Sequence, residues 1–234
     1  MILEICIDHI RSAKAAKAGG ADRLEICGPL CVGGTTPSAA LIEQCLELGD
    51  IELVAMVRPH AGGFDYHRDD IDTMLRSIRQ LKTVGVSGVA FGVLTTTRLI
   101  DIESMKRLID VARPMKVTCH RAFDVAIDPL AAMDTLIELE VDRLLTSGQA
   151  HTAFAGIQSL AELVKRAEGN LAIIAASGID SSNAGQIVQQ TGVREIHGSA
   201  SESEATAGPI DFGGRMINTS VQAVRRLHDA IEQL

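Results

Sequence analysis

An α/β fold of the (β/α)8 barrel type is what this sequence predicts, on three observations. Short aliphatic runs alternate with longer segments of helical period from one end to the other, eight of each. No Gly-x-Gly-x-x-Gly follows the first run, as an open dinucleotide-binding sheet would require. The 234 residues also lie near the roughly 250 typical of such a barrel. No linker, composition break or low-complexity tract divides the chain, so a single domain over 1–234 is expected.

The strands are read at Ile2–Ile7, Arg23–Cys27, Glu52–Val57, Gly88–Val93, Lys116–Cys119, Arg143–Thr146, Leu171–Ala175 and Arg194–His197, each an aliphatic run with a helix candidate after it. The helices are read at 9–18, 38–48, 68–84, 102–112, 129–140, 155–168, 181–190 and 219–233. Asp128-Pro129 puts a capping carboxylate before a proline at the first helical position, where a missing N–H costs nothing. Thr36-Pro37-Ser38 is a similar start, and Asp101, Asp180 and Asn218 or Thr219 supply caps elsewhere. Glycines at 19–20, 49, 85, 169 and 192 stand where a helix ends. The segment Ala200–Gly214, rich in Ser, Glu, Ala and Gly, fits neither period and reads as a loop.

Composition narrows the function. With 5 Phe, 1 Tyr and 0 Trp the core is aliphatic, and a net charge of −8 argues against a surface built to collect nucleic-acid phosphates or anionic lipids. An odd count of 5 cysteines does not make a secreted disulfide framework. The start Met1-Ile2-Leu3-Glu4 has no basic region followed by an apolar run, and no stretch has the 18 or more apolar residues of a membrane span. A cytoplasmic protein is expected.

Alternation along the strands points to a site. In Leu3-Glu4-Ile5-Cys6 and again in Leu24-Glu25-Ile26-Cys27 the aliphatic residues share one face. If those meet the helices, Glu4, Cys6, Glu25 and Cys27 face the barrel axis. Carboxylates there require cationic partners. Arg58 and His60 follow the third strand, His120 and Arg121 the fifth, and His197 closes the eighth, all at the end where barrel enzymes place their chemistry. Glu4, Glu25, Arg58, His120, Arg121 and His197 are therefore the candidate catalytic set, with a buried ion-pair network as the competing reading. Cys6 and Cys27, as inward thiols on adjacent strands, could share a soft metal such as Cu(I) or Zn, with His120 or His197 as a nitrogen donor. Cys45 lies mid-helix and reads as a small core residue.

Small residues after the later strands suggest backbone N–H groups open to an anion: Thr146-Ser147-Gly148 after the sixth, Ser177-Gly178 after the seventh and Ser199 after the eighth. Thr146, Ser147, Ser177, Gly178 and Ser199 are the candidate ligand-binding residues, and simple turn formation is the alternative.

The segments Leu3-Glu4-Ile5-Cys6, Gly20-Ala21-Asp22-Arg23-Leu24-Glu25-Ile26-Cys27, Gly33-Gly34-Thr35-Thr36-Pro37-Ser38, Val57-Arg58-Pro59, Gly62-Gly63-Phe64, His120-Arg121-Ala122-Phe123-Asp124, Leu145-Thr146-Ser147-Gly148 and Glu195-Ile196-His197 together resemble the CutC family, proteins named for a proposed role in copper homeostasis. The resemblance runs from the first strand to the last and implies a TIM barrel, a cytoplasmic location, homo-oligomers and copper binding through cysteine. Cys6 and Cys27 match its pattern. Cys31 and Cys119 lie outside it, and His60 stands where an arginine is common after Arg58-Pro59. Two functions follow as expectations. One is Cu(I) held by Cys6 and Cys27. The other is a metal-independent enzyme on a small phosphorylated or carboxylated metabolite, with Arg58 and Arg121 holding the anion and His120, Glu4 and Glu25 as acid and base. A scaffold without chemistry is the lesser alternative.

Overall fold

The computed structural model describes residues 1–203 and 217–232. Eight parallel strands close into a barrel, each followed by a helix. In chain order they are β1 (Ile2–Ile7), α1 (Ile10–Gly19), β2 (Arg23–Ile26), α2 (Ala39–Leu46), β3 (Glu52–Met56), α3 (Arg68–Val84), β4 (Gly88–Phe91), α4 (Ile102–Ala112), β5 (Lys116–Cys119), α5 (Pro129–Glu138), β6 (Arg143–Thr146), α6 (Ile157–Ala167), β7 (Ala172–Ala176), α7 (Ala184–Thr191) and β8 (Glu195–Gly198). A short antiparallel pair, β9 (Ser201–Ser203) and β10 (Ile217–Thr219), then leads to α8 (Val221–Glu232). Closure is made by β1 on β8, with Glu4 opposite His197, while β1 on β2 sets Glu4 opposite Arg23 and Cys6 opposite Glu25.

The caps form as the sequence predicts in most places. Asp128 accepts from the Leu130 and Ala131 N–H groups, Asp101 from Ser104 and Ser38 from Leu41. Gly20 ends α1 at φ +99°, donating back to Ala16 and Lys17 carbonyls. Gly19 is needed for a different reason: a Cβ there would lie 2.5 Å from Val224 Cβ, so its absence sets the approach of α8 to α1.

Two helix starts differ from expectation. The Asp180 carboxylate accepts from Ser182 N–H and organises a turn, so α7 begins only at Ala184. Neither Asn218 nor Thr219 caps α8; both lie in β10, where Thr219 donates its N–H to Ser12 Oγ and its hydroxyl to the Ser199 carbonyl. The Ser220 hydroxyl accepts from the Ala223 N–H instead. Of the Ala200–Gly214 loop, Ser201–Ser203 is strand β9, and 204–214 lies outside the described residues.

Strand alternation sorts the interior. Leu3, Ile5, Ile7, Leu24, Ile26, Val117, Cys119 and Ile196 join the apolar layer shared with the helices, all at most 0% exposed. Leu145, Ile174 and Ala176 form a separate small cluster on the axial face. Most of the remaining axial positions carry polar or charged groups, where other barrels stack aliphatic layers. That choice costs hydrophobic stabilisation and demands complete pairing of every charge.

Candidate functional site

The base of the barrel is an ionic plug. Arg23, 1% exposed, donates Nε to Glu4 Oε2 and Nη2 to Glu195 Oε2, and its Nη1 lies 3.5 Å from Glu52 Oε2. Arg143 closes the ring, with Nη2 2.8 Å from Glu52 and Nε 3.8 Å from Glu195. Burial alone would lower the Arg23 pKa, but Glu4 and Glu195 outweigh it and hold the guanidinium charged.

Glu4 joins this plug to the other half of the interior. Its Oε1 lies 2.7 Å from His197 Nδ1. Burial would raise its pKa, yet the hydrogen bond with His197 and the charge of Arg23 bring it down to about 2. His197 is pushed the opposite way from what burial alone would do: Cys6, Glu4 and Glu25 around it raise its pKa well above the ordinary value. A carboxylate and an imidazolium therefore share the barrel axis.

Above them, His197 Nε2 lies 3.9 Å from Glu25 Oε2. Glu25 is buried, and burial together with the nearby charge of Glu4 raises its pKa to about 7, against the opposing pull of His197. The Cys27 thiol lies 3.6 Å from Glu25 Oε2, and burial followed by the Glu25 charge pushes its pKa up. Cys6 is half-buried and donates to the Gly198 carbonyl at 3.6 Å. Both thiols line the same cavity of about 200 Å³ at the C-terminal mouth, with Glu25, His197, Arg58, His120 and Arg121. Among the described residues no three or more His, Cys, Asp or Glu side chains are grouped to hold a metal ion. The soft donors in the cavity are the two thiols, with the His197 imidazole hydrogen-bonded to Cys6. Cys31 is exposed, Cys45 is buried as expected, and Cys119 faces the helices, where burial and Asp124 push its pKa up to about 12.

The opposite wall is built by glycine loops. Gly33 and Gly34 adopt φ of +83° and +78°, which L side chains avoid, and Gly62 lies at +129°. These loops turn carbonyls onto Arg58: Nη1 donates to Val32 and Gly34 carbonyls, both at 2.9 Å, and Nη2 to Gly62 at 2.8 Å. Thr36 pairs with the Arg58 main chain on both sides. The guanidinium lies 5.3 Å from the Phe64 ring centre, and His120 packs on the same ring at 5.0 Å. Arg58 Nε is buried and has no partner among the described residues.

His120 opens a short 3-10 turn, Arg121–Val125, and its Nδ1 accepts the Ala122 N–H at 3.2 Å. That fixes the proton of the neutral ring on Nε2. Burial, with the Arg58 charge, takes its pKa down to about 4, so the ring is neutral near pH 7. Its Nε2 is likewise buried without a partner among the described residues.

The residues expected to bind an anion are not brought together. Asp124 occupies the donors after β6: it accepts from Thr146 Oγ1, from the Ser147 main chain and hydroxyl, and from Gln149 N–H. It also pairs with Arg121 Nε at 2.7 Å, so Arg121 is tied down at the rim. Ser177 Oγ donates to the His151 carbonyl, and Gly178 is exposed against Thr152. Ser199 lines a separate cavity of about 230 Å³ with Asp180. His60 is 51% exposed and faces Asp70 at 3.5 Å, outside the mouth cavity.

Sequence reading overlooked Arg23, Asp124 and the glycine carbonyls. Arg23 was findable, because it shares parity with Glu25 and Cys27 on the axial face.

Fold and site together define a closed (β/α)8 barrel that carries acid, base and thiol side chains at its C-terminal mouth. The chain belongs to the CutC family, whose profile matches residues 1–202. It is 41% identical to the family protein CutC of Parabacteroides distasonis, over 96% of this chain and 95% of that one, and 42% identical to that of Glaesserella parasuis, over 98% and 95%. A crystal structure of CutC from Streptococcus agalactiae, named for copper homeostasis, superposes with TM-score 0.81 at 28% identity, over 85% of this chain and 98% of that one. A KDPGal structure with TM-score 0.57 and 16% identity, over 99% of this chain and 94% of that one, shares the fold alone.

Proposed function

We propose that this protein is a metal-independent enzyme that performs acid/base chemistry on a small metabolite held at the barrel mouth through an acceptor oxygen. One observation carries the reading. Among the described residues His120 Nε2 and Arg58 Nε are buried donors without partners, on side chains that line the same cavity as Glu25 and His197. Leaving such a donor unmet costs about 1–3 kcal/mol, and a ligand oxygen would recover it. Glu25 and His197 supply proton acceptor and donor within the same walls. Arg121 stands in the wall of the same cavity, paired with Asp124. All five cysteines are free, which supports work in a reducing cytosol, and no helix among the described residues is long and apolar enough to cross a membrane.

The test is a thermal-shift screen of carboxylated and phosphorylated metabolites on wild type, Arg58→Ala and His120→Phe. A ligand that raises the wild-type midpoint and loses most of that effect in both variants supports the reading. No stabilisation by any compound, or equal stabilisation in all three proteins, overturns it.

A second reading, Cu(I) carried by Cys6 and Cys27, is favoured by the presence of both thiols in one cavity, and the copper-homeostasis name of the Streptococcus agalactiae protein points the same way. Competition for Cu(I) under reducing conditions against Cys6→Ser and Cys27→Ser decides it: equal affinity in all three removes it.

A further inference from the structure

We infer that the mouth site enolises a small carbonyl compound, with His120 and Arg58 holding the carbonyl oxygen through one N–H each and Glu25 carrying the α-proton. This rests on the acid/base reading above and names its substrate class.

The donors decide what kind of oxygen is held. Recognition of a phosphate or carboxylate normally uses a whole guanidinium fork, with two parallel N–H groups on two oxygens. Arg58 cannot offer the fork of its two terminal nitrogens, because both N–H groups of Nη1 and one of Nη2 are committed to carbonyls. Two N–H groups remain, one on Nη2 and one on Nε; the Tyr66 phenol lies beside the guanidinium and interacts with it, and Nε is buried without a partner among the described residues. His120 also offers one N–H, since Nδ1 is committed to the Ala122 amide. Both side chains pack on the Phe64 ring. The Arg58 Nε–H and the neutral His120 Nε2–H, on side chains packed on one ring, suit one oxygen, and the neutral His120 donor discriminates best for an oxygen that starts neutral and becomes charged. A carbonyl becoming an enolate is such an oxygen. A neutral histidine polarising a carbonyl opposite a carboxylate base is a known solution to this problem on barrel enzymes.

The base follows by elimination among the buried carboxylates. Glu4 has one oxygen on Arg23 and the other on His197, so it is fully occupied. Among the described residues Glu25 meets the Cys27 thiol at 3.6 Å and faces His197 at 3.9 Å, and no other side chain is given as its partner. In the step, the Glu25 carboxylate takes the proton from the carbon next to the carbonyl. The C–H electron pair becomes the carbon–carbon π bond, and the carbonyl π pair moves onto oxygen, where the His120 and Arg58 N–H groups hold it. Return of the proton to the same carbon gives exchange with solvent; return to the former carbonyl carbon of a hydroxy ketone, with the hydroxyl proton moved to oxygen, gives isomerisation. No electrons are gained or lost overall. Leu145 and Met56 line the same cavity and restrict water around the enolate.

The experiment incubates the protein in D2O with pyruvate, hydroxyacetone, dihydroxyacetone and dihydroxyacetone phosphate, and follows the α-proton signals by NMR. Binding is read separately from ligand line widths, and oxalate is compared with acetate as a planar enolate mimic against a ground-state acid. The expected result is protein-dependent exchange of at least one compound. It should fall by about 100-fold or more in Glu25→Gln, fall in His120→Phe and recover partly in His120→Gln, whose amide restores an N–H donor. Oxalate should bind at least about tenfold tighter than acetate. Thermal unfolding and ligand broadening establish that the variants fold and bind. Binding of these compounds without exchange, or exchange that survives Glu25→Gln, overturns enolisation while leaving the ligand-binding reading intact. No binding by any of the four, nor by oxalate, overturns the carbonyl assignment, and the broader screen of carboxylated and phosphorylated metabolites then judges the acid/base reading on its own.

Discussion

Glu4 and Arg23 sit on adjacent strands in direct register, and the carboxylate of one meets the guanidinium of the other where both are nearly inaccessible to solvent. The other carboxylate oxygen of Glu4 meets His197. A single side chain thus ties the ionic plug at the base of the barrel to the acid/base groups at its mouth.

Breaking that link should be costly, because the surviving partner is left charged and buried. Glu4→Gln and Arg23→Met are each expected to lose about 3–5 kcal/mol of stability, while the double variant loses clearly less than the sum. Urea unfolding at pH 7 checks this, and strict additivity would contradict it. The acid limb follows from the same geometry. Glu4 is held at about 2 in the folded chain against an ordinary 4.5. Its contribution is therefore complete above pH 4.5 and is lost as pH falls toward 2, because the unfolded state takes up the proton first. In Glu4→Gln that limb should flatten.

His120 gives a second pH dependence through the opposite chemistry. Its folded pKa of about 4 lies below the ordinary 6.5, so the unfolded chain protonates first as pH drops. Stability should decline between pH 6.5 and 4, by on the order of 3 kcal/mol for the full shift, and His120→Phe should remove that decline. Direct observation is available from 15N NMR of the ring. The Nε2-protonated neutral form should persist from pH 8 to about 5.5. A ring that titrates near 6.5, or one protonated on Nδ1, contradicts the geometry.

Arg58 is held by shape as much as by charge. A lysine cannot reproduce two N–H groups on the Val32 and Gly34 carbonyls together with one on Gly62. Arg58→Lys is expected to cost about 2–3 kcal/mol, since buried carbonyls lose their donors. His60→Ala, two residues on but exposed, should change stability by less than about 0.5 kcal/mol. Chemical denaturation of the two variants side by side measures the contrast.

The barrel itself was legible because β-strand alternation and helical period repeat eight times, and the axial placement of Glu4, Cys6, Glu25 and Cys27 follows from parity alone. The mouth residues Arg58, His120 and His197 were legible because they end strands. What each one does was not. Carbonyls of the Val32–Gly34 and Gly62 loops take three of the N–H groups of Arg58, and loop carbonyl direction is invisible in residue identity. Thr146 and Ser147 look like open donors for the same reason. Their partner, Asp124, comes from the turn after the preceding strand, and that contact is made only by tertiary packing. The α8 start was misplaced because Asn218 and Thr219 are good caps locally, whereas pairing of β10 with β9 and the bond from Thr219 to Ser12 override that preference.

Asp124 stands where a bound anion was expected, and this can be turned into a test. Its carboxylate accepts from Thr146, Ser147 and Gln149 and pairs with Arg121, so Asp124→Ala strips several donors of their acceptor at once. A loss of about 2–4 kcal/mol is expected, given about 1–3 kcal/mol for each buried donor left unmet and partial relief by water at the rim. The vacated space is lined by N–H and O–H groups with an arginine beside them, which is the chemistry of an anion site. Acetate or sulfate in the millimolar range should therefore raise the unfolding midpoint of Asp124→Ala by several degrees more than that of wild type. Asp124→Asn, which keeps an acceptor oxygen, should need less rescue. If added anions stabilise all three proteins equally, the donors after β6 are not held open by loss of the carboxylate, and the view of Asp124 as an internal anion fails.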